Sequence, residues 1–207
     1  MFYRNVDRAI TELAAFGTLD WLTIVAGAAY AVLAIKRVRW CWLAGALSSA
    51  VLVYISYRAA LPMQAALQFF YVAMAAYGFW RWSKAGDDST MRINRWPLSA
   101  NAGAIAALCG LGWLLGPSLA PWTHAAWPRL DAVVMLGSLL ATWMTTQARL
   151  ENWYYWIVID VASIYLYYMQ NAPGAALLYV IYTAIALAGA WTWTRLYRAQ
   201  RPCRSPS

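Results

Sequence analysis

Seven apolar runs, each close to the length an α-helix needs to cross a bilayer, divide the chain: residues 17–35, 41–57, 63–82, 97–116, 130–148, 153–170 and 174–194. The predicted fold class is an all-α polytopic membrane protein with seven transmembrane helices. The clearest polar interval is Ser83–Arg95 (SKAGDDSTMRINR). A second loop is predicted over Gly116–Arg129, broken by Pro117, Pro121 and Pro128. Gln170-Asn171-Ala172-Pro173-Gly174 reads as a tight turn that ends one helix and begins the next. The first residues, MFYRNVDRAIT, lack the apolar core and small-residue cleavage site of a signal peptide, so the first span is expected to stay in the mature protein.

The pattern is duplicated. Residue n written above residue n + 111 aligns the two ends of the chain without a gap: Asp20 with Asp131, Trp42 with Trp153, Tyr54 with Tyr165, Tyr57 with Tyr168, Pro62 with Pro173, Tyr71 with Tyr182, Gly78 with Gly189, Trp80 with Trp191 and Trp82 with Trp193. Across 20–82 and 131–193 there are about 13 identities in 63 pairs, where composition alone gives roughly 5. Each repeat holds three spans and the fourth span joins them, so both repeats enter the membrane in the same direction. This parallel 3+1+3 plan predicts an extracytoplasmic segment (1–16), a first three-helix repeat (17–82), a linker with span four (83–129), a second repeat (130–194) and a basic cytoplasmic tail (195–207). Transporters built from parallel repeats place the substrate near the midplane, between the repeats. A duplicated receptor or scaffold is the bland alternative.

Composition agrees with a membrane protein. Hydrophobic residues make up 63% and charged residues 12%, against roughly 45–50% and ~25% in soluble domains. The net charge of +8 does not point to nucleic acid, because the basic residues fall between the apolar runs. With the N-terminus outside, 12 basic residues lie in the inner segments and 4 (Arg4, Arg8, Arg58 and Arg129) in the outer ones, which places the C-terminus in the cytoplasm.

Enzymatic chemistry has little to work with. Cys41, Cys109 and Cys203 read as unpaired, and the single histidine, His124, sits in a Pro/Trp-rich loop. CxxC, HExxH, Gly-x-Ser-x-Gly and GxxxxGK[ST] patterns are absent from the sequence. No catalytic residue, metal or cofactor is expected, and the chain is not read as an enzyme. A membrane-embedded lipid-modifying transferase would need converging acids, histidines or a metal site.

The segment Asn152-Trp153-Tyr154-Tyr155-Trp156-Ile157-Val158-Ile159-Asp160 carries a W-x-x-W-x-x-x-[DN] pattern. With Gln68-Phe69-Phe70-Tyr71 through Tyr77-Gly78-Phe79-Trp80-Arg81-Trp82, and Leu178-Tyr179 through Trp191-Thr192-Trp193, it resembles the PnuC family of bacterial vitamin-precursor transporters. The resemblance covers nearly the whole chain apart from its termini. It implies facilitated passage of nicotinamide riboside, a precursor for NAD biosynthesis, across the bacterial inner membrane, made one-way by phosphorylation inside the cell. Close relatives carry thiamine. A sugar transporter of the same architecture is a further alternative.

The residues themselves point to the same region. An ionisable group at mid-span costs at least ~2.5–3.5 kcal/mol on insertion scales, and Asp160 is the one acid in a predicted span interior. Trp153, Trp156 and Asp160 lie at i, i+3 and i+7, on one helix face that Ser163 and Tyr167 extend. Gln64, Gln68 and Tyr71 form a similar face in span three, with Tyr179 and Tyr182 at the equivalent positions of Gln68 and Tyr71 in span seven. Span two has Trp42, Gly45 and Ser49 where span six has Trp153, Trp156 and Asp160, so the twofold symmetry is broken as one asymmetric ligand requires. The candidate substrate-binding set is therefore Trp156, Asp160, Trp153, Gln68, Tyr71, Gln64, Tyr179, Tyr182, Trp42 and Ser49. Stacking on tryptophan gives an aromatic cation roughly 0.5–2 kcal/mol. Bland readings stand beside these. Asp160 could serve an interhelical contact. Asp20 and Asp131 are expected to cap helices. Trp80, Trp82, Trp191 and Trp193 are expected to anchor the chain at the membrane interface. Trp96, Trp113, Trp122 and Trp127 carry no separable signal. The partners implied are a small-molecule substrate and the lipid bilayer, with a homo-oligomer compatible and nucleic acid not.

Overall fold

The computed structural model describes Thr11 and residues 14–85, 91–123 and 127–200. His124 and Cys203, and the side chain of Trp122, lie outside the described residues. Seven helices are present among them: α1 (Thr18–Ile35), α2 (Cys41–Arg58), α3 (Pro62–Lys84), α4 (Leu98–Thr123), α5 (Pro128–Thr146), α6 (Asn152–Met169) and α7 (Pro173–Ala199). Three of these, α1, α4 up to Pro121, and α7, are long and apolar enough on their own to cross a membrane. The other four carry buried Ser, Thr, Gln, Asn and Asp side chains, which lower their hydropathy while facing inward. Large apolar side chains cover the outside, among them Val25, Phe69, Leu114 and Val158, the inverse of a soluble domain.

Two boundaries differ from the sequence pattern. Helix α4 does not stop at residue 116 but continues to Thr123 with Pro117 and Pro121 inside it. Neighbouring helices allow a membrane helix to tolerate such prolines, and here Gly116 brings α4 against the backbone of Arg129, so close that a Cβ would sit 2.6 Å from its Cα. Helix α7 runs past residue 194 to Ala199.

The duplication is visible in the helix packing and in the turns. Helices α1, α2 and α3 pack in series, as do α5, α6 and α7, and the two sets meet through α3 with α5 and α1 with α7. Four non-glycine residues have positive φ: Arg37, Ala60, Ala148 and Asn171. They form two pairs 111 residues apart. Each follows a helix in a paired-bond terminus, shown by Val38 N–H to Leu33 O and Arg37 N–H to Ala34 O, both at 3.0 Å. Pro62 and Pro173 then start the third helix of each repeat, where a missing N–H costs nothing.

The core lies at the end of the bundle formed by the C-termini of α1 and α5 and the N-termini of α2 and α6. There the indoles of Trp42 and Trp82 meet edge-on at 5.3 Å, and those of Trp153 and Trp193 at 5.6 Å. Gly78 and Gly189 admit these rings, since a Cβ on either would lie 2.4 Å from the facing indole. The Trp82 indole N–H donates to Thr146 O at 3.2 Å, and the Trp193 N–H to Ile35 O at 3.0 Å. The interface-anchor reading of Trp82 and Trp193 is thus corrected: they are 2% and 0% exposed. Trp80 and Trp191, at 52% and 64%, stay on the outside, under Lys84 Nζ at 4.0 Å and the Arg195 guanidinium at 4.8 Å.

The end of the polar linker is strapped across this same end. Arg37 donates to Met91 O at 2.9 Å, Ile93 N–H to Gln200 Oε1 at 3.1 Å, and Asn94 exchanges backbone bonds with Ala148 and Leu150. Arg95 pairs with Glu151 at 3.0 Å. That hydrogen bond holds the Arg95 guanidinium above its ordinary pKa.

Candidate functional site

A cavity of about 700 Å³ lies between the two repeats. Residues of α2, α3 and α5 and the end of α6, with Ser56, Gln64, Asp131 and Gln170 just past α6 among them, line one end; Thr145, Asn152 and Trp153 line the other, beside the tryptophan core. The floor is tied together by Thr145 Oγ1 and Asn152 Oδ1 at 3.2 Å. Helical spacing explains the convergence: each contributing helix turns its Ser, Gln, Tyr or Asp face inward because lipid on the other side offers no hydrogen bonds.

Nine of the ten candidates line this cavity: Trp156, Asp160, Trp153, Gln68, Tyr71, Gln64, Tyr179, Tyr182 and Ser49. Trp42 does not. It borders a smaller adjoining space of about 120 Å³, and its ring is packed between Gly78, Tyr30 and Trp82. Trp42 is a core residue, and the reason is symmetry: it does in repeat one what Trp153 does in repeat two. Trp153 touches the cavity only from that packed position, at 4% exposure.

Asp160 and Gln68 are 5% and 6% exposed. Neither has a hydrogen-bond or ion-pair partner among the described residues, so their polar ends face the cavity unpaired. A buried carboxylate left in that state is costly unless something positive or hydrogen-bonding meets it. Trp156 is half-buried beside it and packs on the core. Tyr167 and Tyr179 stack at 5.3 Å with an 18° interplanar angle, and Tyr182 meets Tyr179 edge-on at 6.1 Å.

Several residues escape the sequence reading. Tyr30 lines both spaces and lies against Gly45, where a Cβ would be 3.0 Å from its ring. The equivalent positions in repeat two carry Ala141 and Trp156. Large and small have changed places between the first and second helix of the repeats, and the Gly45/Trp156 difference was the signal for it. Asp131 was expected to cap a helix. Helix α5 instead begins at Pro128 after Trp127, with no side-chain cap, and Asp131 lines the cavity. Asp20 does serve its helix start: its Oδ2 accepts from Gly17 N–H at 2.9 Å.

An apolar-coated helical bundle of two repeats around a central polar cavity defines a membrane transporter of small molecules. Comparison with known proteins gives the family. The model described as "Nicotinamide mononucleotide transporter" matches residues 17–195, and the chain belongs to that family, the family of PnuC. It is 27% identical over 194 residues to the riboflavin/roseoflavin transporter RibM of Streptomyces davaonensis, covering 88% of each chain. It is 27% identical to the nicotinamide riboside transporter PnuC of Escherichia coli over 61% of this chain and 64% of that protein, and 26% identical to PnuC of Neisseria mucosa over 76% and 64%. A crystal structure of the vitamin B3 transporter PnuC superposes with a TM-score of 0.71 at 24% identity, covering 88% of this chain and 83% of that one, and shares the fold.

Proposed function

We propose that this chain is a uniporter of nicotinamide riboside in the bacterial inner membrane, with its N-terminus outside and its C-terminus in the cytoplasm. One observation carries the reading. The cavity is lined by two carboxylates, Asp131 and Asp160, and by no Lys or Arg among the described residues. Such a site favours a positively charged ring and disfavours a phosphorylated ligand, which would need a basic partner. Trp156 supplies a face for the pyridinium ring, and the Gln and Tyr groups suit its amide and ribose hydroxyls. Thiamine, also an aromatic cation, is the rival within this chemistry. Riboflavin, which is neutral, is a second reading favoured by the length of the match to RibM.

The uniport assignment rests on the sequence. It carries no phosphate-binding loop, and the cavity carboxylates are assigned to the cation rather than to a coupling ion. Calorimetry of the purified protein against nicotinamide riboside, thiamine and riboflavin tests the substrate, with nicotinamide riboside expected to bind tightest. Counterflow in proteoliposomes tests the mechanism: exchange should be equal with and without a proton or sodium gradient. Gradient-driven accumulation abolished by an ionophore would overturn uniport.

A further inference from the structure

Asp131 occupies the position in α5 that Asp20 occupies in α1, and like it lies in the first turn of its helix, yet it makes no capping bond. Asp20 accepts the N–H of Gly17. Before Asp131 the chain reads Trp127-Pro128, and α5 starts on the proline without a side-chain cap. The Asp131 carboxylate has no hydrogen-bond or ion-pair partner among the described residues. Arg129, the nearest cation in sequence, is turned away, with its guanidinium 3.9 Å from the ring centre of Trp113 on α4. Asp131 lies within electrostatic reach of Tyr167, and Asp160 within reach of Tyr179 and Tyr182. The stacked pair Tyr167–Tyr179 lines the same cavity as the two acids. Buried and unpartnered, Asp160 marks the depth of the site, and Asp131 marks the end lined by Gln64 and Gln170.

We propose that Asp131 is a specificity-determining residue of this cavity, a second carboxylate at its Gln64–Gln170 end that selects cationic ligands over neutral ones of the same shape. The inference rests on the transporter reading above and adds that selection by charge is made at two places along the ligand's path. The tyrosines of the same cavity offer ring faces on which a cation is stabilised away from either carboxylate.

The test uses the purified full-length protein and two matched pairs: nicotinamide riboside with its neutral reduced form, and thiamine with its neutral thiophene analogue 3-deazathiamine. Asp131→Asn should weaken binding of the cations roughly 5- to 30-fold, the effect of one charge across a partly wet cavity, and change the neutral members less than about twofold. Asp131→Glu should restore most of the cation affinity, and Asp20→Asn should leave the cation-to-neutral ratio unchanged. Equal loss for both members of a pair, or no loss, overturns the inference. So does a wild-type protein that binds riboflavin in preference to both cations. A wild-type protein that binds thiamine but not nicotinamide riboside overturns the substrate reading alone, and the pair of thiamine and 3-deazathiamine then decides the role of Asp131.

Discussion

The indole N–H of Trp193 donates to the carbonyl of Ile35 at 3.0 Å, a bond between residues 158 positions apart that joins the last helix to the end of the first. Trp82 and Thr146 repeat it at 3.2 Å in the other direction. These two bonds satisfy carbonyls at the C-termini of α1 and α5 that their own helices leave open. Trp193→Phe keeps a ring and removes the donor, so it should cost about 1 kcal/mol of stability. Trp191→Phe, on the exposed neighbour, should cost less than about 0.5 kcal/mol. Thermal denaturation in detergent, followed by loss of monodisperse protein, would check the contrast.

Gly78 and Gly189 hold the tryptophan core by having no side chain. Alanine at either would place a methyl group 2.4 Å from an indole. Gly78→Ala should therefore destabilise by roughly 1–3 kcal/mol or more, as overpacking does. Gly103→Ala, where a Cβ meets nothing within 4 Å, should be neutral or stabilising. The yield and melting temperature of the two variants provide the comparison.

For Trp156 the readout is ligand affinity. If its ring carries the stacking, Trp156→Ala should lose roughly 1–3 kcal/mol of binding, by analogy with base–aromatic stacking. Thermal stability should fall less than for Trp153→Ala, whose ring is in the core. Normal binding by Trp156→Ala would assign the residue to packing.

Topology is open to a direct test. The 12-to-4 division of basic residues places the segment after Arg58 outside and that after Arg95 inside. Reporter fusions at these two points should report opposite sides of the membrane. The same side for both would overturn the seven-span arrangement, and opposite sides in the reverse sense would overturn the orientation.

Much of this architecture was legible because two periods are superimposed, one of 3.6 residues within helices and one of 111 between repeats. The convergence of Asp160, Gln68, Tyr71 and Tyr182 on one space follows from their helical faces. What was not legible turns on single steps of rotation. Trp80 and Trp82 are two residues apart, which is roughly 200° around a helix, so one faces lipid and the other the core. Their shared neighbourhood of basic residues could not separate them. Asp131 keeps the first-turn place of its counterpart Asp20 but not the capping bond, because Pro128 stands where Gly17 supplies the N–H. The prolines at 117 and 121 suggested a loop because their sequence signature is the same whether a helix ends or is supported by its neighbours.

Tyr30 and Gly45 of the first repeat stand where Ala141 and Trp156 stand in the second, so bulk sits on different helices in the two halves. The second repeat thus presents the ring of Trp156 to the cavity, while the first presents that of Tyr30 from the neighbouring helix. A chain carrying Ala141→Tyr together with Trp156→Gly should then still assemble, with the aromatic face removed from the second helix of the second repeat and the Ser49/Asp160 and Gln68/Tyr179 differences left to orient a guest.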